Sequence, residues 1–222
     1  SGGFTGSYSG TRLGVAASVI AGKGSGMEGD YDYVSVRHGG DLEDPAAIGK
    51  RAGERAVKRL NPQKVGTAQV PVIYDPRVAN GLLRSLAGAI SGAAVARGTS
   101  FLKDKLNEKI FSDGISVIDD PLRKRGLSSR PFDGEGVTTA KMAIIEDGVL
   151  KTWILDRSTG HQLDLPSTGH ASRGTSSPPS PSSSNLYLEA GSNTPAQLMS
   201  DIKIGFYVTS LMGMGVNPVT GD

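Results

Sequence analysis

The chain has 222 residues, 24 basic against 22 acidic side chains, and no cysteine. This excludes disulfides, thiolate catalysis and Cys-ligated zinc within these residues, and a formal charge of +2 argues against a dedicated polyanion binder with Lys and Arg gathered on one face. Glycine is abundant at 31 residues while aromatics make up only 5%, so the core is expected to be built from small aliphatic side chains, and no apolar run approaches the ~20 residues that cross a bilayer.

The opening Ser1-Gly2-Gly3-Phe4 has neither a charged nor an apolar leader and reads as the middle of a strand-turn region. The sequence is therefore taken as a piece of a longer protein, and the missing cysteines suit a cytoplasmic location. Leu13 to Ala21 is a small-residue apolar strand, and Tyr31 to Arg37 alternates at period two as a half-exposed strand does. Between them Gly24, Gly26 and Gly29 spell G-x-G-x-x-G. A dinucleotide site needs a helix directly afterwards, to hold the pyrophosphate on its first amides. Here a strand follows, so the glycines are read as a hairpin loop.

Asp44-Pro45 opens a helix running to about Leu60, with Asp as cap, Pro in the first turn and Asn61-Pro62 as the stop. Ile48, Ala52, Ala56 and Leu60 form its apolar stripe; Lys50, Arg51, Glu54, Arg55, Lys58 and Arg59 fill the rest, a basic face read as solvated. Gln69 to Tyr74 is a short strand leading into a second cap-plus-proline start at Asp75-Pro76. The helix that follows, to about Ala96, sets small residues four apart at Gly81, Ser85, Ala89 and at Gly88, Gly92. That spacing predicts close approach of another element, beside a buried stripe of Leu82, Leu86 and Ile90.

A basic amphipathic segment spans Ser100 to Ile110, a strand Ile115 to Ile118, and a polar Arg-rich loop runs on to Phe132. Ala140 to Asp156 is a hairpin turning at Asp147-Gly148, a pair that favours positive φ. Ser172 to Ser184 is nearly all Ser, Pro, Gly and Thr and is expected to be weakly held. A short helix from Thr194 to about Ile202 and a strand from Ile204 to Leu211 follow. Strands with interspersed helices and no regular βαβ alternation predict an α+β fold of antiparallel, glycine-rich sheets with a few packing helices.

Chemistry is sparse. His38, His161 and His170 are scattered and are read as surface or loop histidines. No G-x-S-x-G elbow and no phosphate-binding G-x-x-x-x-G-K-[ST] loop occurs. Paired carboxylates stand at Asp119/Asp120 and at Asp133/Glu135, where they could share a proton, hold a cation or cap nearby amides.

Several stretches in order resemble the PmbA/TldD family, closest to its PmbA (TldE) branch: Arg97 to Phe101, Asp119-Asp120-Pro121, Pro131 to Gly136, Ile145 to Leu150, Ser167 to His170, Ser184-Asn185, and the closing Gly213 to Asp222. The resemblance implies that 1–60 ends an N-terminal strand-helix domain and that 61–222 is a truncated central and C-terminal α+β domain. It also implies a cytoplasmic two-subunit peptidase acting on unfolded or leader peptides, in which a TldD-type subunit carries zinc on an H-E-x-x-x-H helix. Arg84, Ser85 and Ala89 fall where that motif would lie, and none can replace its counterpart. The expected role is therefore a non-catalytic partner of a TldD-type subunit, without a cofactor or catalytic residue of its own, and a homo-oligomer is a further expectation. Alternatives are an independent metal-dependent hydrolase built on Asp133 and Glu135, and a modulator of DNA gyrase or nucleic acid, which the near-neutral charge disfavours.

Overall fold

The computed structural model describes residues 3–212 and 215–222. They form an α+β fold divided into two compact units, one of Tyr8–Ala68 with Lys124–Leu127 and one of the remaining described chain. No helix among the described residues is long and apolar enough to cross a membrane.

In the smaller unit β1 (Leu13–Ala21) and β2 (Glu28–Val36) pair antiparallel from Leu13↔Val36 to Ala21↔Glu28. Of the G-x-G-x-x-G stretch, Gly24 and Gly26 lie in the connecting loop of this hairpin and Gly29 already pairs in β2 opposite Ile20. Helix α1 (Pro45–Lys58) starts where Asp44 accepts the Ala46 amide, and it buries Ile48, Ala52 and Ala56 completely. Its basic face is not wholly solvated as the charge pattern suggested. Arg51 and Arg55 grip the two oxygens of buried Asp32 at 2.6 and 2.7 Å, Arg51 also reaches Glu43 at 2.6 Å, and Arg59 lies 3.7 Å from both Glu28 and Asp30. Three cations are thus absorbed by the acidic residues of β2 and of the turn before the helix.

In the larger unit β3 (Val72–Tyr74) leads into α2 (Pro76–Ala89), followed by α3 (Gly92–Ala96) and β4 (Val117–Asp119). Next come β5 (Met142–Glu146), β6 (Val149–Leu150), α4 (Arg157–Gln162), β7 (Ala171–Ser172), β8 (Ser180–Pro181), β9 (Leu186–Leu188), α5 (Pro195–Ser200) and β10 (Phe206–Val208). An antiparallel sheet in the order β6-β5-β4-β9 carries the core, while β10 pairs parallel to β3 and β7 antiparallel to β8. Asp147 (φ 47°) and Gly148 (φ 82°) make the β5–β6 turn as the sequence predicts. A side chain on Gly148 would run into the carbonyl oxygens of Phe111 and Ser112.

The long helix expected from Asp75 to Ala96 is broken. Ile154 breaks the helix at Ile90 and Ser91 by donating its amide to the Ile90 carbonyl (2.9 Å) and accepting the Gly92 amide (2.8 Å). Gly92 permits this: a Cβ there would sit 2.6 Å from Leu155, 2.7 Å from Thr159 Oγ1 and 2.9 Å from the Ile154 oxygen. The expected close approach is therefore real at Gly92 and missing at Gly88, which faces open space. The buried face of α2 is Leu83, Leu86 and Ala89, packed with Ile144, Trp153 and Leu155, whereas Leu82 is half exposed. The segment Ser100–Ile110 forms turns rather than a helix, with Leu102 buried in the same core.

Candidate functional site

The helix on which the resemblance would place a metal motif, α2, is fixed at its first turn. Asp75 caps α2, accepting the Arg77 amide at 2.9 Å and Arg77 Nε and the Tyr207 hydroxyl at 3.2 Å, while its own amide donates to the Val208 carbonyl of β10. Burial pushes the Asp75 carboxyl up, but those donors outweigh it and hold it below its ordinary range. Along the helix the three motif positions face three different surroundings. Arg84 is exposed, Ser85 turns its hydroxyl back to the Gly81 carbonyl (3.2 Å), and Ala89 is buried in the core. A guanidinium cannot ligate, an alanine has no donor atom, and the lone hydroxyl is spent on its own helix. These residues do not fit a zinc ion. Among the described residues no group of three metal-ligating side chains comes together.

Asp133 and Glu135 lie near each other but both hold backbone. Asp133 is buried; its Oδ1 accepts the amides of Glu135 and Val137, each at 2.9 Å, and its Oδ2 accepts that of Ala171 at 3.0 Å. Glu135 Oε2 accepts the Arg157 amide (2.9 Å), the first N–H of α4, where Asp156 serves the N–H of Thr159 (2.8 Å). Carboxylates belong at such helix starts, which expose amides without a partner in the helix.

Sequence reasoning missed the most buried polar cluster. His170, expected in a loop or at the surface, is 1% exposed. Its Nε2 lies 3.1 Å from Asp119 Oδ1 and its Nδ1 2.9 Å from Thr168 Oγ1. Asp119 also accepts the Ser184 hydroxyl on Oδ1 and the Ser184 amide on Oδ2 (2.8 Å). Burial raises the Asp119 carboxyl, but hydrogen bonds from His170 and Ser184 outweigh it and hold it low. Ser, His and Asp thus meet, yet the serine donates to the aspartate rather than to the histidine. A nucleophile relay needs a serine–imidazole bond and access for substrate, and this cluster has neither. Next to it Asn185 binds the Asp120 carbonyl (2.7 Å), Ser129 Oγ (2.9 Å) and the Ser128 amide (2.9 Å). The signal available in the sequence was the set of short stretches Asp119-Asp120-Pro121, Ser167 to His170 and Ser184-Asn185, which converge here.

A surface groove of about 250 Å³ lies beside β10, lined chiefly by Pro71, Ile73, Met199, Ile202, Phe206 and Tyr207.

The sequence profile of the PmbA/TldA metallopeptidase C-terminal domain matches residues 67–222, and that of the central domain matches residues 1–60. The chain belongs to the PmbA/TldD metallopeptidase family. It is 37% identical to "Metalloprotease PmbA" of Escherichia coli O157:H7, over 97% of this chain and 46% of that protein, and 38% identical to the PmbA homologue of Haemophilus influenzae over the same shares. Among solved structures, a proposed modulator of DNA gyrase from Bacteroides thetaiotaomicron superposes with a TM-score of 0.88 at 30% identity, covering 100% of this chain and 48% of that one. TldE from Thermococcus kodakarensis superposes at 0.81 with 29% identity, over 92% and 47%. The chain spans about half the length of the curated PmbA relatives it matches.

Proposed function

We propose that this chain is part of a non-catalytic subunit of a cytoplasmic TldD/TldE-type zinc metallopeptidase that acts on unfolded or leader peptides, with the zinc carried by a TldD-type partner. The observation that carries this reading is α2: at the motif positions it offers an exposed cation, a hydroxyl bonded to its own helix and a buried methyl group. Such a helix can pack and support; it cannot activate water. The role left to this chain is to shape a chamber and bind peptide. A two-stranded sheet of β3 and β10 beside an apolar groove suits that role, because extended peptides add to strand edges through their backbone. An independent hydrolase on Asp133 and Glu135 is disfavoured, since their carboxylates already accept four backbone amides, which must be released before a cation could bind.

The test is reconstitution. The full-length protein alone should leave unfolded casein intact, and adding a TldD-type subunit should produce cleavage that a chelator abolishes. Chelator-sensitive cleavage by the protein alone would overturn the assignment.

A further inference from the structure

We infer that the exposed segment Arg173–Pro179 is a strap held closed at its base by a clamp of two buried carboxylates, Asp133 on one leg and Asp119 on the other. The segment consists of Arg, Gly, Thr, Ser and Pro, and it buries almost no apolar surface that could offset its ordering cost. Its order comes from the legs. Ala171 pairs with Pro181 and Ser172 with Ser180, and the Ser182 amide donates to the His170 carbonyl at 2.8 Å. On the incoming leg, Asp133 Oδ2 accepts the Ala171 amide and the Gly134 amide donates to the Ala171 carbonyl (2.8 Å). On the outgoing leg, Asp119 takes both the amide and the hydroxyl of Ser184.

The ring of His170 completes the second grip. The Thr168 hydroxyl accepts the Leu155 amide at 2.8 Å and lies 3.1 Å from the Leu155 carbonyl and 2.9 Å from His170 Nδ1. Asp119, held low as a carboxylate, can only accept, so His170 donates its Nε2 proton to it. Thr168, His170 and Asp119 are linked in one hydrogen-bonded chain, and it fixes the carboxylate that holds Ser184. The strap can release at this point while the β5–β6 hairpin stays paired.

Amide hydrogen exchange on the intact protein tests this. Asp119→Asn replaces an acceptor by a donor, and exchange at Ser182 and Ser184 should rise about tenfold or more while the β5 and β6 amides keep their rates. Equal acceleration throughout, or none at Ser182 and Ser184, would overturn the clamp. If Asp119→Asn does not fold, Ser184→Ala keeps the carboxylate and removes one donor; it should give the same local pattern at smaller amplitude, and unchanged local rates would again overturn it. The ¹⁵N spectrum of His170 should show a protonated Nε2. An unprotonated Nε2 would overturn its grip on Asp119.

Discussion

Gly88 and Gly92 stand four residues apart and have opposite surroundings. A side chain at Gly92 would press on Leu155, Thr159 and the Ile154 carbonyl, so Gly92→Leu should cost about 1–3 kcal/mol through overpacking. Gly88 lies in an exposed stretch of α2 with nothing near its missing Cβ, so Gly88→Ala should stabilise the protein by about 0.5–1 kcal/mol through helix propensity. Urea denaturation of both variants checks the pair; destabilisation at Gly88 with tolerance at Gly92 would reverse the packing described here. Asp133 supplies a third test at this scale. Its carboxylate serves three backbone amides, so Asp133→Ala should cost about 1–3 kcal/mol or more, from donors left without a partner. A residue kept for catalysis would instead be replaceable with little loss of stability.

Among the elements, the β1–β2 hairpin and α1 are joined by ion pairs as well as by Ile48, Ala52 and Ala56. Burial pushes the Asp32 carboxyl up, but Arg51 and Arg55 outweigh it, so its folded pKa lies below the ordinary value. A depressed carboxylate contributes stability that is present above its unfolded pKa, near about 3.9, and is lost as pH falls through the folded value. Acid titration should therefore loosen this unit below about pH 4, and Asp32→Asn should flatten that part of the stability profile. An unchanged profile in the variant would show that the pairs are incidental. The elements also show what the sequence can reveal. The caps Asp44 and Asp75, the Asp147-Gly148 turn and the strand after Gly29 were legible because each depends on neighbouring residues. The break at Ser91 was not, because it comes from a strand-like exchange with Ile154, more than sixty positions away. The pairing of Arg51 with Asp32 and the burial of His170 were hidden for the same reason: their partners meet only in three dimensions.

For the whole molecule, the family match extends over both halves of the chain, while the chemistry that gives the family its name finds no ligands on α2. The buried polar groups Asp119, Asp133 and His170 hold backbone or one another in place. The proposed division of labour puts the metal in another subunit. Metal analysis tests that division most directly. The full-length protein and its complex with a TldD-type subunit would each be dialysed and their zinc content measured per chain. The account predicts zinc in the complex, retained by the TldD-type subunit after separation, and none held stoichiometrically by this protein alone. One tightly bound zinc per chain in the protein purified by itself would contradict it.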